Sequence, residues 1–201
     1  MTRWYWLGGF SAAFIFVIAF LNPSEVESTP LPPELQNEPD VYMEDSVITQ
    51  FDENGNIRYR LASAEITHFE INNVTDLEEP VLDLHQPLPN PPWNATALHG
   101  SITQRLNDAN VLEEQLFLHE NVVLKRGFDI EDKRHITMET SALFIYPERQ
   151  FAETDQAVMI ETASALTKAV GFQGDLERGW MKLSSTAAQR VHIIVLPHQF
   201  K

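Results

Sequence analysis

The chain has 201 residues, 43% of them hydrophobic and 10% aromatic, and carries a net charge of −15 from 14 Lys+Arg against 29 Asp+Glu. That apolar content can pack a core, which excludes wholesale disorder, while the acidic balance repels phosphate backbones and excludes general nucleic-acid binding. The absence of cysteine excludes a disulfide scaffold, a thiolate metal site, a cysteine nucleophile and a lipid-modified N-terminal Cys.

The first element is apolar. Trp4 to Leu21 reads WYWLGGFSAAFIFVIAFL and contains no formal charge. At about 1.5 Å per residue it spans about 27 Å, close to the thickness of a hydrocarbon core. No small-x-small cleavage site follows Leu21, so residues 4–21 are expected to stay as a single-pass transmembrane helix. Gly8, Gly9 and Ser11 form a small-residue face on which a neighbouring helix can pack. Arg3 precedes the span, and Glu25, Glu27, Glu34 and Glu38 follow it. The positive-inside rule then makes residues 1–3 a cytoplasmic tip and places the rest outside. Residues 22–40 hold Pro23, Pro30, Pro32, Pro33 and Pro39, the composition of an extended, semi-rigid linker.

From residue 41 to 201 the pattern changes to short apolar runs broken by turn residues. Phe51 to Ile57 (FDENGNI) reads as a turn between two strands. Further strands are expected at Ile57–Leu61, Val81–His85, Ala95–Ile102, Leu116–Arg126, Ile136–Tyr146, Ala157–Glu161, Trp180–Leu183 and Val191–Leu196. Ser184–Arg190 carries one weak helical signal. A faint repeat links ATALHG, TMETSAL and AVGFQGD, as stacked hairpins would. The expected architecture is all-β: antiparallel strands in a meandering or folded-over sheet with an apolar interior. Alternation assigns Tyr59, Leu61, Leu82, Leu84, Leu118, Val122, Leu124, Ile136, Met138 and Phe144 to that interior. Glu120 and Asn121 interrupt the alternation, as a turn or bulge would.

Motifs for chemistry are missing. There is no G-x-S-x-G, P-loop, G-x-G-x-x-G or H-E-x-x-H. No two of the seven histidines lie within four positions of each other. The acidic pairs Asp52-Glu53, Glu78-Glu79, Glu113-Glu114 and Glu131-Asp132 fall in turn-like sequence, where exposed charge is the rule. No catalytic residue, metal ligand or cofactor is expected, so the chain reads as a non-enzyme.

Eight segments together resemble the LptC family of lipopolysaccharide export proteins. They are DENGNIRYRL (52–61), AEITHF (64–69), EPVL (79–82), PPW (91–93), LFLHENVVLKR (116–126), ITMETSALFIYP (136–147), AETDQAVMI (152–160) and GFQGD (171–175). The resemblance implies an open antiparallel β-jelly-roll in the periplasm, held by an inner-membrane anchor. It implies a lipopolysaccharide-transfer component without catalytic activity. That component would receive lipopolysaccharide from an ATP-driven extractor made of LptB, LptF and LptG and pass it to the bridge protein LptA. The ten interior residues then become candidates for acyl-chain contact. Because the chain leaves the membrane at its N-terminal end and stacked hairpins progress outward, Val47, Thr49 and Phe51 are expected on a membrane-proximal edge. Val191, Ile193 and Val195 are expected on the distal edge that pairs with LptA. Two other readings compete: an anchored scaffold that joins partners by strand addition without carrying lipid, and a hydrolase acting on cell-wall sugar, which needs two facing carboxylates.

Overall fold

The computed structural model describes residues 38–86, 90–107, 109–127 and 135–195. The expected tip and span, with Gly8, Gly9 and Ser11, lie outside the described residues. No helix among the described residues is long and apolar enough to cross a membrane. What is described is β structure throughout, as expected. The strands are β1 (Val41–Phe51), β2 (Ile57–Phe69), β3 (Val74–Glu78), β4 (Val81–Leu84), β5 (Trp93–Thr96), β6 (His99–Leu106), β7 (Leu112–Arg126), β8 (Ile136–Tyr146), β9 (Phe151–Thr162), β10 (Ala165–Asp175), β11 (Trp180–Leu183) and β12 (His192–Val195). The weak helical signal at Ser184–Arg190 is not realised. That stretch is bends and irregular backbone, stitched to β10 by Val170 and Gly171 bonding Ser184.

All pairings are antiparallel within one sheet. β2 pairs with β4 through 59–62 and with β3 through 65–69. β7 pairs with β6 through 112–119 and with β5 through 123–126. Thus β3 with β4, and β5 with β6, are two halves of one long strand. The run expected at Ala95–Ile102 breaks at Ala97–Leu98 for this reason. With the halves joined, the order is a meander in which each long strand lies beside the next, with β11 and β12 sharing the far side of β10. The double layer arises by folding this meander rather than by Greek-key crossovers.

A line of backbone irregularities crosses the sheet. Asp45, Glu79, Glu120 and Asn121 have φ of 45°, 49°, 64° and 56°, and Gly171 has φ 87°. The β7–β8, β8–β9 and β9–β10 ladders each slip register on the same line. Side chains normally alternate faces along a strand, and an extra residue in a bulge reverses that alternation. Burial follows suit. In β2 it passes from Tyr59, Leu61 and Ser63 to Ile66; in β8 from Met138 and Thr140 to Leu143 and Ile145; in β10 from Ala169 to Phe172. In β7, Glu120 and Asn121 both face out between buried Leu118 and Val122, the interruption visible in the sequence. At Gly171 only glycine suits both the positive φ and the approach of Ser184, whose Cβ would stand 3.1 Å from an added methyl.

The line works as a spine. Segments 46–51, 57–62, β4, β5, 122–126, 136–140, 157–162, 165–170 and β12 make one leaf. Segments 41–44, 65–69, β3, β6, 112–119, 143–146, 151–154, 172–175 and β11 make the other. Buried side chains from both leaves form one hydrophobic cluster. Cross-sheet bonds require the fold: Trp93 Nε1 donates to the Leu176 carbonyl at 2.9 Å, yet β5 and β10 are four strand spacings apart, about 19 Å in a flat sheet. Leu118 is fully buried at the centre, whereas Val47 is 64% exposed. Leu118→Ala should lower the unfolding free energy by roughly 2–5 kcal/mol, and Val47→Ala should change it by less than about 0.5 kcal/mol. Urea denaturation of both variants, with comparable losses as the contrary result, checks this placement of the core.

Candidate functional site

The space between the leaves is the candidate site. Tyr59, Leu61, Leu82, Leu84, Leu118, Val122, Leu124 and Met138 all project into it and are buried. Ile136 is half-buried and packs on the same cluster. Phe144 does not project inward. The parity change in β8 turns it to the outer face, 37% exposed, where its ring stacks on Phe117 with centroids 4.6 Å apart. Leu143 and Ile145 take the inward positions instead. The interior also takes in Ile66, Leu77, Trp93, Ala95, Val158, Ile160 and Phe172. Several of these lie in runs recognised as strands, but their inward face follows only once the bulges are placed.

The interior is closely packed over most of its length, with Leu82, Leu84, Leu143 and Ile145 at 0% exposure. At the β1 end it widens into a cavity of about 390 Å³ between the leaves, lined by Met43, Ile48, Tyr59, Leu61, Ile66, Ile102 and Glu114 among others. Glu114 is on the inward parity of β7, level with Leu116 and Leu118. The Tyr59 hydroxyl lies 2.9 Å from each of its carboxylate oxygens, as a shared donor. Burial pushes the Glu114 carboxyl above its usual range, helped by Glu148 and opposed by the Tyr59 hydrogen bond and Arg58. Burial and the Glu114 charge together push the Tyr59 phenol well above the ordinary tyrosine range.

Two more polar contacts join the leaves along the rim opposite the spine. Gln150, at φ 48°, donates from Nε2 to the His85 carbonyl at 3.1 Å and accepts from Gln86. Its own carbonyl accepts from the Leu176 amide. Trp93, bonded to Leu176, also lies under the Arg126 guanidinium, 5.4 Å from the ring centroid.

The ends of the sheet are edges. β1, which holds Val47, Thr49 and Phe51, pairs only with β2 among the described strands. Among the described strands β12 pairs only with β10, and it holds Ile193 and Val195, 59% and 57% exposed. Val191 lies just before β12, and Leu196 lies outside the described residues. Glu113 is buried but is held by Arg149, whose Nε lies 2.8 Å away. No group of three or more His, Asp or Glu among the described residues is placed to hold a metal.

The family model described as "Lipopolysaccharide-assembly, LptC-related" matches residues 11–190. The chain belongs to the LptC family. Among solved structures it is similar to the crystal structure of LptH, described as the LptA-homologous periplasmic component of the conserved lipopolysaccharide transport device from Pseudomonas aeruginosa. The identity is 10%, the TM-score 0.48, and the match covers 82% of this chain and 100% of that one. Nothing matches among curated proteins.

The Glu114 environment of this LptC-family chain makes its stability depend on pH. A carboxyl whose pKa is higher folded than unfolded binds its proton more tightly in the folded state, so stability rises as pH falls from neutrality toward the ordinary glutamate range. Glu114→Gln keeps an acceptor for Tyr59 but cannot titrate. The stability difference between the natural chain and Glu114→Gln should therefore shift in favour of the natural chain between pH 7.5 and pH 5, as read by urea denaturation. A difference independent of pH would contradict the assignment.

Proposed function

We propose that this chain is a non-enzymatic lipopolysaccharide-transfer component, anchored in the inner membrane by residues 4–21, with its β domain in the periplasm. It receives lipopolysaccharide from the LptB, LptF and LptG extractor and passes it to LptA. The supporting observation is the shape of the sheet: folded on its spine, it keeps apolar faces from both leaves together along its whole width, and it ends in unpaired strand edges. Acyl chains need such an interior, because each CH₂ exposed to water costs about 0.8 kcal/mol. With a net charge of −15 the protein does not attract anionic headgroups in bulk, so affinity comes from apolar burial with headgroups near the rim. Tyr59, Leu61, Leu82, Leu84, Leu118, Val122, Leu124, Ile136 and Met138 are the proposed acyl-chain contacts. Val47, Thr49 and Phe51 on β1 form the membrane-proximal edge. Ile193 and Val195, with Val191 before them, form the edge offered to LptA.

One observation favours the scaffold reading: the central interior is packed shut, with no room for a guest. Lipid capture separates the two. A diazirine-bearing aliphatic residue at Leu118 or Met138 of the full chain, in membranes with the extractor, should crosslink lipopolysaccharide in an ATP-dependent manner. The same probe at Arg58 or Glu139 should not. Equal capture on both faces, or none, leaves the scaffold.

The edge assignment has its own test. Successive amides along a strand point to opposite sides, so of Ile193→Pro and Ile194→Pro one removes an outward donor and the other a donor to β10. The first should weaken LptA binding with the fold intact, while the second should loosen β12 itself. Normal LptA binding by both variants would exclude β12 as the docking edge.

A further inference from the structure

The leaf that contains β3 and β6 carries a polar pocket on its outer face, away from the spine. The pocket measures about 470 Å³ and is lined by Arg105, Asn107, Glu113, Tyr146, Arg149 and Glu153 among others. Small-molecule sites run from about 300 to 1,000 Å³. Successive residues of a strand point to opposite faces, so Glu114 faces the interior while Glu113 faces this pocket.

The floor of the pocket is held in place by its own contacts. Tyr146 is 2% exposed. Its hydroxyl donates to Glu153 Oε1 at 3.0 Å and accepts from Gln115 Nε2 at 2.9 Å. The Arg149 guanidinium lies 4.3 Å from the Tyr146 ring centroid and 5.4 Å from that of Phe151. Its Nη2 donates to Glu113 Oε1 at 3.2 Å. Hydrogen-bonding capacity is nevertheless left over. Glu113 is 4% exposed, and its Oε2 accepts no hydrogen bond among the described residues. That oxygen lies 2.8 Å from Arg149 Nε, but off the line of the N–H. A buried acceptor without a donor is uncommon and costly. Arg105 is exposed and uses one donor, from Nη1 to the Tyr146 hydroxyl at 3.3 Å. No carboxylate among the described residues forms an ion pair with it. Asn107 accepts the Ala109 and Val111 amides with Oδ1, which leaves its Nδ2 donors open.

We propose that this pocket binds a saccharide, with Glu113 Oε2 accepting from one ring hydroxyl and Arg105 and Asn107 donating to its neighbours. An open acceptor beside open donors suits adjacent hydroxyls, because each hydroxyl both donates and accepts. A simple anion fits less well. Arg105 and Arg149 share the pocket with Glu113 and Glu153, so their charges cancel, and the whole chain carries −15, which repels anions. The proposal rests on the lipid-transfer reading for the source of the sugar, the headgroup of lipopolysaccharide.

The test uses the full chain in nanodiscs and a sugar without acyl chains. Delipidated, dephosphorylated core oligosaccharide of lipopolysaccharide should show saturation transfer by NMR. Arg105→Ala should weaken its affinity at least about tenfold, the loss expected for hydrogen bonds from a charged donor. Arg60→Ala removes the same charge from an exposed site on the other leaf and should leave affinity unchanged. Urea unfolding of both variants should match the natural chain. Inorganic phosphate should not displace the sugar. No transfer, or equal affinity in the two variants, overturns the saccharide site while lipid capture at Leu118 still decides the transfer reading. Displacement by phosphate makes the pocket an anion site and overturns the proposal. Tighter binding of a muropeptide glycan than of core oligosaccharide overturns the assigned source. Failure of capture at Leu118 with sugar binding intact overturns the transfer reading and the source, and leaves the pocket a saccharide site.

Discussion

Everything in this structure depends on one constraint: each long strand must bend at the same level. Twisted antiparallel strands laid side by side make a ribbon with one apolar face, and that face has to be covered. Here no helix or second sheet covers it among the described elements. The ribbon covers itself, which requires a break in the backbone of each strand on a common line. Asp45, Glu79, Glu120, Asn121 and Gly171 supply positive φ on that line, and the ladders beyond β7 slip register there. Non-glycine residues in this region carry conformational cost. The burial of leucines, Trp93 and Phe172 on both sides of the spine offsets that cost.

Self-covering leaves the molecule with three unlike boundaries. The spine is covalent. The rim lies where the strand ends of the two leaves meet, and there buried Trp93 and Leu176 pack together beside the hydrogen bonds of Trp93 and Gln150. The two ends are strand edges, β1 on one side and β11 with β12 on the other, whose unpaired amides and carbonyls can accept a further strand.

Buried polar chemistry in this core is sparse and paired. Ser63 donates to the carbonyls of Glu65 and Glu78 beside the spine, Thr140 donates to those of Ala142 and Ala157 at its own kink, and Tyr59 satisfies Glu114. The first two spend their hydroxyls on bulges, where ladder bonds are lost. Tyr59–Glu114, like Trp93–Leu176, joins two leaves, and it brings a carboxyl to the apolar space.

The sequence by itself determined that the body is β, where most strands lie, and which residues of β2, β4 and β7 face inward, because period-two alternation there is clean between one bulge and the next. It also showed the break at Glu120–Asn121 as an acidic and an amide residue in the middle of an apolar run. It carried the family resemblance through segments whose order and spacing the fold respects. Three things waited for the tertiary structure. Phe144 was misplaced because a register shift between Thr140 and Phe144 reverses parity, and a bulge without glycine or asparagine leaves no local mark. The weak helix at Ser184–Arg190 lost to hydrogen bonds with β10 that come from a distant part of the chain. The pairing of Tyr59 with Glu114, and of Gln150 with His85 and Gln86, joins residues more than fifty positions apart. Such contacts exist only because the ribbon folds back on itself, and local periodicity carries no trace of them.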